Sequence, residues 1–514
     1  MASIQWPYEQ LKTAFSVSTF HQYLFLFLLV IVVLKLTRRP KIKPSFNLPP
    51  SPRKLPIIGN LHQLSKLPYH SLRTLSQKHG SLMLLQLGQT RALVVSSPDA
   101  VREIMKTHDI TFSNRPKTTA AKTLLYGCND IGFASYGESW KHKRKICVLE
   151  LLSPKRVQSL SLIREEEVAE LINKIREASL SDASSSVNLS ELLIETTNNI
   201  ICKCALGKKY STEDCHSRIK ELAKRAMIQL GVVTVGDRFP FLGWVDFLTG
   251  QIQEFKATFG ALDALFDQVI AEHKKMQRVS DLCSTEKDFV DILIMPDSEL
   301  TKDGIKSILL DMFVAGSETT ASALEWAMAE LMKNPMKLKK AQDEVRKFVG
   351  NKSKVEENDI NQMDYMKCVI KETLRLHPPA PLLAPRETAS SVKLGGYDIP
   401  AKTLVYVNAW AIQRDPEFWE RPEEFIPERH DNSRVHFNGQ DLQFITFGFG
   451  RRACPGMTFG LASVEYILAN LLYWFNWKLP ATHTSGQDID MSETYGLVTY
   501  KKEALHLKPI PFFL

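Results

Sequence analysis

Cysteine is scarce and scattered in this 514-residue chain: Cys128, Cys147, Cys202, Cys204, Cys215, Cys283, Cys368 and Cys454 form no C-x-x-C pair. That spacing indicates neither a zinc site nor a disulfide framework and suits a reducing compartment. Most of these thiols are expected to be small buried hydrophobes. The chain has no internal repeat and no long Gly/Ser-rich linker in its middle, so one large domain behind an N-terminal appendage is expected. Charge of one sign is also lacking, since 65 Lys+Arg against 57 Asp+Glu leave a formal net charge of only +8. The basic clusters at Lys35 to Lys43 and Lys141 to Lys145 carry no interleaved aromatics, which argues against a nucleic-acid platform. No G-x-G-x-x-G follows a predicted strand, so no dinucleotide or flavin domain is expected within the chain.

One long apolar run is present. Tyr23 to Leu34 carries no charge, and Phe15 through Leu34 reaches the roughly 20 residues that suffice to cross a bilayer. Lys35, Arg38, Arg39, Lys41 and Lys43 follow at once; by the positive-inside tendency they stay cytoplasmic and the N-terminus is lumenal. Basic residues on that flank, with no small-x-small site after it, favour an uncleaved signal anchor over a cleaved signal peptide. Leu48-Pro49-Pro50-Ser51-Pro52 then makes a stiff spacer, because each proline fixes its own φ and turns its predecessor away from helix. The expected organisation is an N-terminal segment with the anchor over 1–37, a basic and proline-rich hinge over 38–55, and one globular domain over 56–514.

Leu82 to Leu87 and Ala92 to Val95 flank Gly88-Gln89 and predict a hairpin, and a second strand region is predicted through Val392 to Leu394 and Thr403 to Val407. Helical periodicity dominates elsewhere, as in Ile163 to Ile175, Ser190 to Cys204, Phe255 to His273 and Phe459 to Tyr473. The fold class is therefore mainly α with small β regions. One long helix is predicted from a Thr301 cap to Asn334, where Pro335 ends it. Ala315-Gly316-Ser317-Glu318-Thr319-Thr320 lies at its centre, and its hydroxyls can bond back to carbonyls a turn earlier and weaken the ladder. Close helix packing accounts for the Ala-Gly pair, but less well for an acid and two threonines in an apolar helix.

The strongest local signal is Phe447-Gly448-Phe449-Gly450-Arg451-Arg452-Ala453-Cys454-Pro455-Gly456. Its form F-x-x-G-x-R-x-C-x-G arises by chance in about one chain per several thousand of this length. A thiolate in a glycine-kinked loop, with arginines close by and a helical run after it, suits a soft transition metal. Amides at the start of that helix are expected to lower the Cys454 pKa and donate to its sulfur. Gly450 permits the tight turn, Gly456 a close backbone approach, and Phe447 shields the sulfur. Without its surroundings Cys454 reads as a buried cysteine in a loop. Trp140 and Arg144 lie four apart on one helix face, flanked by Lys141, Lys143 and Lys145 as a solvated face or a docking surface. Glu372 and Arg375 form an E-x-x-R pair able to lock a helix to its neighbour, with Pro427-Glu428-Arg429 downstream.

These motifs, in this order, resemble those of cytochromes P-450. Leu376-His377-Pro378-Pro379-Ala380-Pro381 and Asn408-Ala409-Trp410-Ala411-Ile412 look most like the plant microsomal branch and its large specialised-metabolism family. The resemblance implies the cytochrome P-450 fold behind a transmembrane helix, with haem b as cofactor and Cys454 as its axial thiolate ligand. It implies Trp140, Arg144, Arg386, Phe447, Arg452 and Gly456 as cofactor-binding residues, and Thr319 and Glu318 as catalytic residues that handle dioxygen and protons. Glu372, Arg375 and Arg429 would form a structural network; His430 stands where the family usually has phenylalanine, a local packing change.

The same resemblance implies NADPH–cytochrome P-450 reductase as electron donor, cytochrome b5 as an optional second one, and a single-pass place in the endoplasmic reticulum membrane with the catalytic domain cytoplasmic. The expected activity is insertion of one oxygen atom from O2 into a small hydrophobic specialised metabolite: a terpenoid, a phenylpropanoid or other aromatic, or an alkaloid. The alternatives are an atypical reaction of the family, such as aldoxime formation or oxidative ring closure, and, ranked below it, a non-enzymatic haem-binding protein. By analogy the substrate-facing segments are Thr118 to Phe133, Gly231 to Trp244, Asp311 to Ser317, Ala380 to Pro385 and Tyr495 to Val498. They are mostly aliphatic, aromatic and small, with Lys122 and Arg238 as candidates for an anion clamp.

Overall fold

The computed structural model describes residues 22–30, 46–181, 186–207, 213–279, 287–431, 441–480 and 485–512. The anchor expected over 15–34 falls largely outside them; its described part, 22–30, is helical and exposed. Among the described residues no helix is long and apolar enough to cross a membrane.

Eight helices position the site: α1 (Glu138–Ile146), α2 (Leu189–Leu206), α3 (Glu213–Leu230), α4 (Gln251–Val279), α5 (Lys302–Gly316), α6 (Glu318–Lys333), α7 (Asp364–Leu376) and α8 (Met457–Trp474). The helix expected to run unbroken from Thr301 to Asn334 is thus two. The Thr301 hydroxyl caps α5 by accepting from Gly304 N at 3.1 Å, and Asn334 closes α6 ahead of Pro335. The break falls at Ser317, with φ −90° and ψ −61°. Three hydroxyls there donate to carbonyls four residues back: Ser317 to Phe313 O at 2.9 Å, Thr319 to Ala315 O at 2.6 Å and Thr320 to Gly316 O at 2.9 Å. Such back-bonding competes with the backbone amides for the same acceptors and bends the ladder. Gly316 answers to packing instead, because a Cβ there would lie 2.6 Å from Ile201 Cδ1 of α2.

α6 is buried on nearly every side and packs against α2, α7 and α8, which places it at the centre of the largest core cluster. The predicted hairpin forms from β1 (Leu82–Leu87) and β2 (Thr90–Val95), antiparallel and joined at Gly88-Gln89. Its run of apolar residues reads without alternation because both faces are covered. Leu82, Leu84, Leu93 and Val95 enter one cluster, while Met83, Leu85, Ala92 and Val94 enter another. The sheet is completed by β3 (Arg386–Glu387) and β4 (Leu404–Val407), with β4 parallel to β2 and β3 antiparallel to β4. The second predicted strand region is therefore split: Val392–Leu394 pairs with Tyr397–Ile399 instead, around Gly395-Gly396. Distant parts of the chain are tied together this way, and β3 carries Arg386 to the ligand loop.

Candidate active site

Cys454 is delivered by a tight loop just ahead of α8. Its amide donates to Phe447 O at 2.8 Å, and Ala453 N donates to Gly450 O at 3.1 Å. Gly448 and Gly450 take φ of 74° and 62°, the left-handed region that favours glycine. At Gly450 space matters too, since a Cβ would lie 2.6 Å from Asp109 Oδ1. Burial pushes the Cys454 thiol up, opposed by a hydrogen bond from the Gly456 amide and by the Arg144 charge. The helix-start amide does reach sulfur and lowers its pKa as expected, but burial outweighs it and the net shift is upward. Desolvation wins, so a thiolate at this position calls for a cation in front of it. Cys454 is nonetheless accessible.

Four arginines gather near this loop. Arg452 donates from Nε to Ser113 O at 2.7 Å and from Nη1 to Ile131 O at 3.1 Å, and it lies 4.1 Å from the Trp140 ring centroid. Arg144, one turn along α1 from Trp140, donates to Ala453 O at 2.7 Å. Arg386 donates to Phe449 O at 2.7 Å and stacks 4.1 Å from the Phe449 ring. Arg115, which no motif singled out, donates to Gly132 O at 2.9 Å and Pro385 O at 2.8 Å. Burial lowers the pKa of all four; Arg452 and Arg386 come down to about 10, and Arg115 and Arg452 also feel neighbouring arginines. Facing them are Asp109, 3.7 Å from Arg386 Nη1, and Asp130. Arg386 Nη1 is buried with no hydrogen-bond partner among the described residues.

A buried excess of guanidinium with an orphaned donor fits a ligand bearing carboxylates, as the two propionates of haem do. Soft sulfur on one side and this cationic wall nearby suit such a group. Lys143 is no part of a docking face: it is buried, donating to Asn129 Oδ1 and, at 2.9 Å, to Ser139 Oγ. Lys141 and Lys145 are exposed.

Glu318 is buried at the start of α6, and desolvation raises its carboxyl to about 7, with Lys224 opposing. Thr319 beside it is partly exposed. Further away, the fully buried Glu372 lies at the centre of a hydrogen-bonded network. Arg375 meets it bidentately at 2.8 and 2.9 Å, Arg429 Nε at 2.9 Å, Ile426 N at 2.9 Å and His430 Nε2 at 2.9 Å. Burial alone would raise the Glu372 carboxyl, but His430 and Arg375 outweigh it and hold it at about 2. His430 is therefore a working member of the network, beyond the packing change expected of it.

A cavity of about 260 Å³ is lined by Thr118, Phe133, Gly231, Arg238, Leu383 and Tyr495 among others, and Asp311 to Ser317 does not reach it. Arg238 hydrogen-bonds Tyr406 OH at 3.2 Å, whereas Lys122 is exposed and outside the lining. Polar groups at Asp237, Glu387 and Lys402 make this lining less apolar than the segments suggested.

Comparison with known proteins adds a second line of argument. Residues 49–507 match the family model described as Cytochrome P450. The chain is 49% identical to phenylacetaldehyde oxime monooxygenase CYP71AN24 of Prunus mume, over 99% of this chain and 98% of that one. It is 45% identical to strychnine-11-hydroxylase of Strychnos nux-vomica, over 92% and 93%. A solved structure of a zebra fish cytochrome P450 with progesterone superposes with a TM-score of 0.73 at 25% identity, covering 86% of this chain and 99% of that one. With the Cys454 loop, the buried arginines beside it and this likeness over nearly its whole length, the chain belongs to the cytochrome P450 family, as an oxidoreductase of the plant branch whose cofactor is haem on a cysteine thiolate.

Proposed function

We propose that this protein is a membrane-anchored monooxygenase that inserts one oxygen atom from O2 into a small apolar specialised metabolite. The observation that carries this reading is the Cys454 loop set beside a buried, undercompensated group of arginines. Cys454 would be the axial thiolate, and Arg144, Arg386, Arg452 and Arg115 would take the propionates, with Trp140 stacked behind them. Phe447 closes the loop through its carbonyl, and Gly456 supplies the amide to sulfur. Bound haem supplies the activation of dioxygen and the transfer of one of its atoms to carbon.

The chain's own residues manage protons and position. Thr319 spends its hydroxyl proton on Ala315 O, so its oxygen is left to accept from a water or an incoming O–H. Glu318, protonated up to about pH 7, is the group that can give up a proton beside it. Electrons would come from NADPH through a separate reductase, with cytochrome b5 as an optional second donor, and exposed Lys141 and Lys145 are basic positions beside the ligand loop.

In this reading 1–37 would be the anchor, 38–55 the hinge and 56–514 the catalytic body, at the cytoplasmic face of the endoplasmic reticulum. Exposed Trp244, Phe247 and Leu248 support membrane contact, as do exposed Leu55 and Ile57. The two sets flank the β1–β2 turn, where Gly88 N donates to Ile58 O and Gln89 N to Arg238 O.

For substrate, the reading is a small apolar molecule, whether a terpenoid, a phenylpropanoid or other aromatic, or an alkaloid, approaching through the 260 Å³ cavity. A second reading, an atypical reaction on an oxime or another nitrogenous compound, is favoured by the 49% identity to a protein named for phenylacetaldehyde oxime. The reduced protein with carbon monoxide is expected to show the Soret band of thiolate-ligated haem, and a band typical of histidine ligation would sink the assignment. Spectral shifts on adding phenylacetaldehyde oxime, a terpene, a phenol and an alkaloid then separate the substrate classes.

A further inference from the structure

Residues 129–134 pass between α1, the ligand loop and α5, and they are gripped from two sides. Their carbonyls are taken by cations and an indole: Ile131 O accepts from Trp140 Nε1 at 3.0 Å and Arg452 Nη1 at 3.1 Å, and Gly132 O from Arg115 Nε at 2.9 Å. Their amides go to two carboxyls. Ile131 N donates to Asp311 Oδ2 at 2.6 Å, and Phe133 N donates to Asp130 Oδ2 at 2.6 Å. A Cβ on Gly132 would meet Asp130 Oδ2 at 3.3 Å and Asp311 Oδ1 at 3.5 Å, so both carboxyls crowd the same glycine. Asp130 is fully buried, and its Oδ1 has no donor among the described residues. Two adjoining carboxyls, Asp130 fully buried and Asp311 half-buried, cannot both ionise without strong repulsion, and a proton on the pair supplies the donor that the chain does not.

We propose that Asp130 and Asp311 share one proton and thereby act as positioning residues, holding the Ile131 to Phe133 segment, and so the Phe133 wall of the cavity, in place for substrate. The clamp itself follows from geometry; its meaning for substrate rests on the monooxygenase reading. Burial, then the Asp130 charge, pushes the Asp311 carboxyl well above the usual range, and burial raises Asp130 to about 6 against the pull of Arg452 and Arg115. Lys143 from α1 is the other cation facing both carboxyls, and Cys128 and Cys147 are the neighbouring thiols. The folded chain keeps a proton that the unfolded chain releases, so the clamp is whole at low pH and loosens as pH rises through the pair's titration.

Hydrogen exchange of the peptide spanning 129–134 in the holoenzyme, corrected for intrinsic rates, tests this from about pH 5.5 to 8.5. Protection is expected to fall by up to about tenfold per pH unit above the titration, the limit for one linked proton. In Asp130→Asn, whose amide donates at every pH, protection is expected to be retained and flat with pH. Asp130→Ala is expected to lose it throughout. An identical pH slope in wild type and Asp130→Asn, or full protection in Asp130→Ala, overturns the shared proton. The affinity ratio of 4-phenylimidazole to imidazole, read at the haem and corrected for each probe's own protonation, is expected to fall with protection, since the phenyl group adds the bulk that senses the placement of Phe133. An unchanged ratio overturns the role in substrate placement. The exchange result does not depend on haem chemistry, which keeps its failure distinct from failure of the monooxygenase reading.

Discussion

Glu318 shows how one side chain can trade stability for chemistry. Its carboxyl stands at about 7 because it is buried with only Lys224 opposing, while a free glutamate titrates near about 4.3. Between those values the folded chain holds more protons than the unfolded one, so stability falls as pH rises through that window and stays reduced above it. Glu318→Gln is expected to remove its share of that fall, worth up to about 3.5 kcal/mol, seen as denaturation midpoints that drop less between about pH 5 and pH 8 than those of the wild type. The same variant is expected to lose the acid-dependent limb of turnover near pH 7. Thr319→Ala is expected to keep haem and divert oxygen to peroxide; unchanged coupling of electrons to product would remove its assigned role. Both residues stood out in the sequence because hydroxyls and an acid inside an apolar helix are costly. Arg115 did not, because its worth lies in a convergence of arginines from four separate stretches.

At the scale of elements, the α5–α6 break illustrates the limit of periodicity. The Thr301 cap and the Asn334–Pro335 stop were legible, since both act locally, and the weakened centre was foreseen from its hydroxyls. That the weakening amounts to a break depends on which carbonyls those hydroxyls choose once α2 is packed alongside. Gly316→Ala is expected to cost about 1–3 kcal/mol, as overpacking does, because its Cβ would overlap Ile201 Cδ1. Ile201→Val in the same chain is expected to recover much of that loss, and a double-mutant cycle of unfolding free energies measures the coupling. A near-zero coupling would place the strain elsewhere. The β1–β2 hairpin was equally local, whereas its parallel partner β4 lies more than 300 residues on and leaves no spacing signal.

For the whole molecule, the Glu372 network joins α7 to the 427–430 turn ahead of the ligand loop. Its carboxyl is held at about 2, so its stabilisation is present above the free glutamate value and is lost as pH falls from about 4.5 toward 2. Arg429→Ala leaves that buried charge one partner short, with Arg375 and His430 still in place, and is expected to cost about 1.5–3 kcal/mol, read as lower thermal stability and poor haem retention. Glu372→Gln is expected to flatten the acid limb of unfolding. At the membrane, a chain lacking residues 1–45 is expected to keep weak binding to lipid vesicles, and Trp244→Ser with Leu248→Ser to abolish it; vesicle flotation checks both. Equal flotation of the two chains would show that the exposed apolar residues take no part.

The sequence by itself determined the reaction family and the largely helical class, because a ligand loop, helix caps, prolines and apolar periodicity are written over a few adjacent residues. The tertiary structure decided the rest. Only folding brings Arg115, Arg144, Arg386 and Arg452 near Cys454, makes His430 a partner of Glu372, and sets Asp130 against Asp311. It decided also that desolvation of Cys454 outweighs its helix-start amide. These are effects of burial and convergence, whose strength depends on the protein surrounding a group and not on its neighbours along the chain.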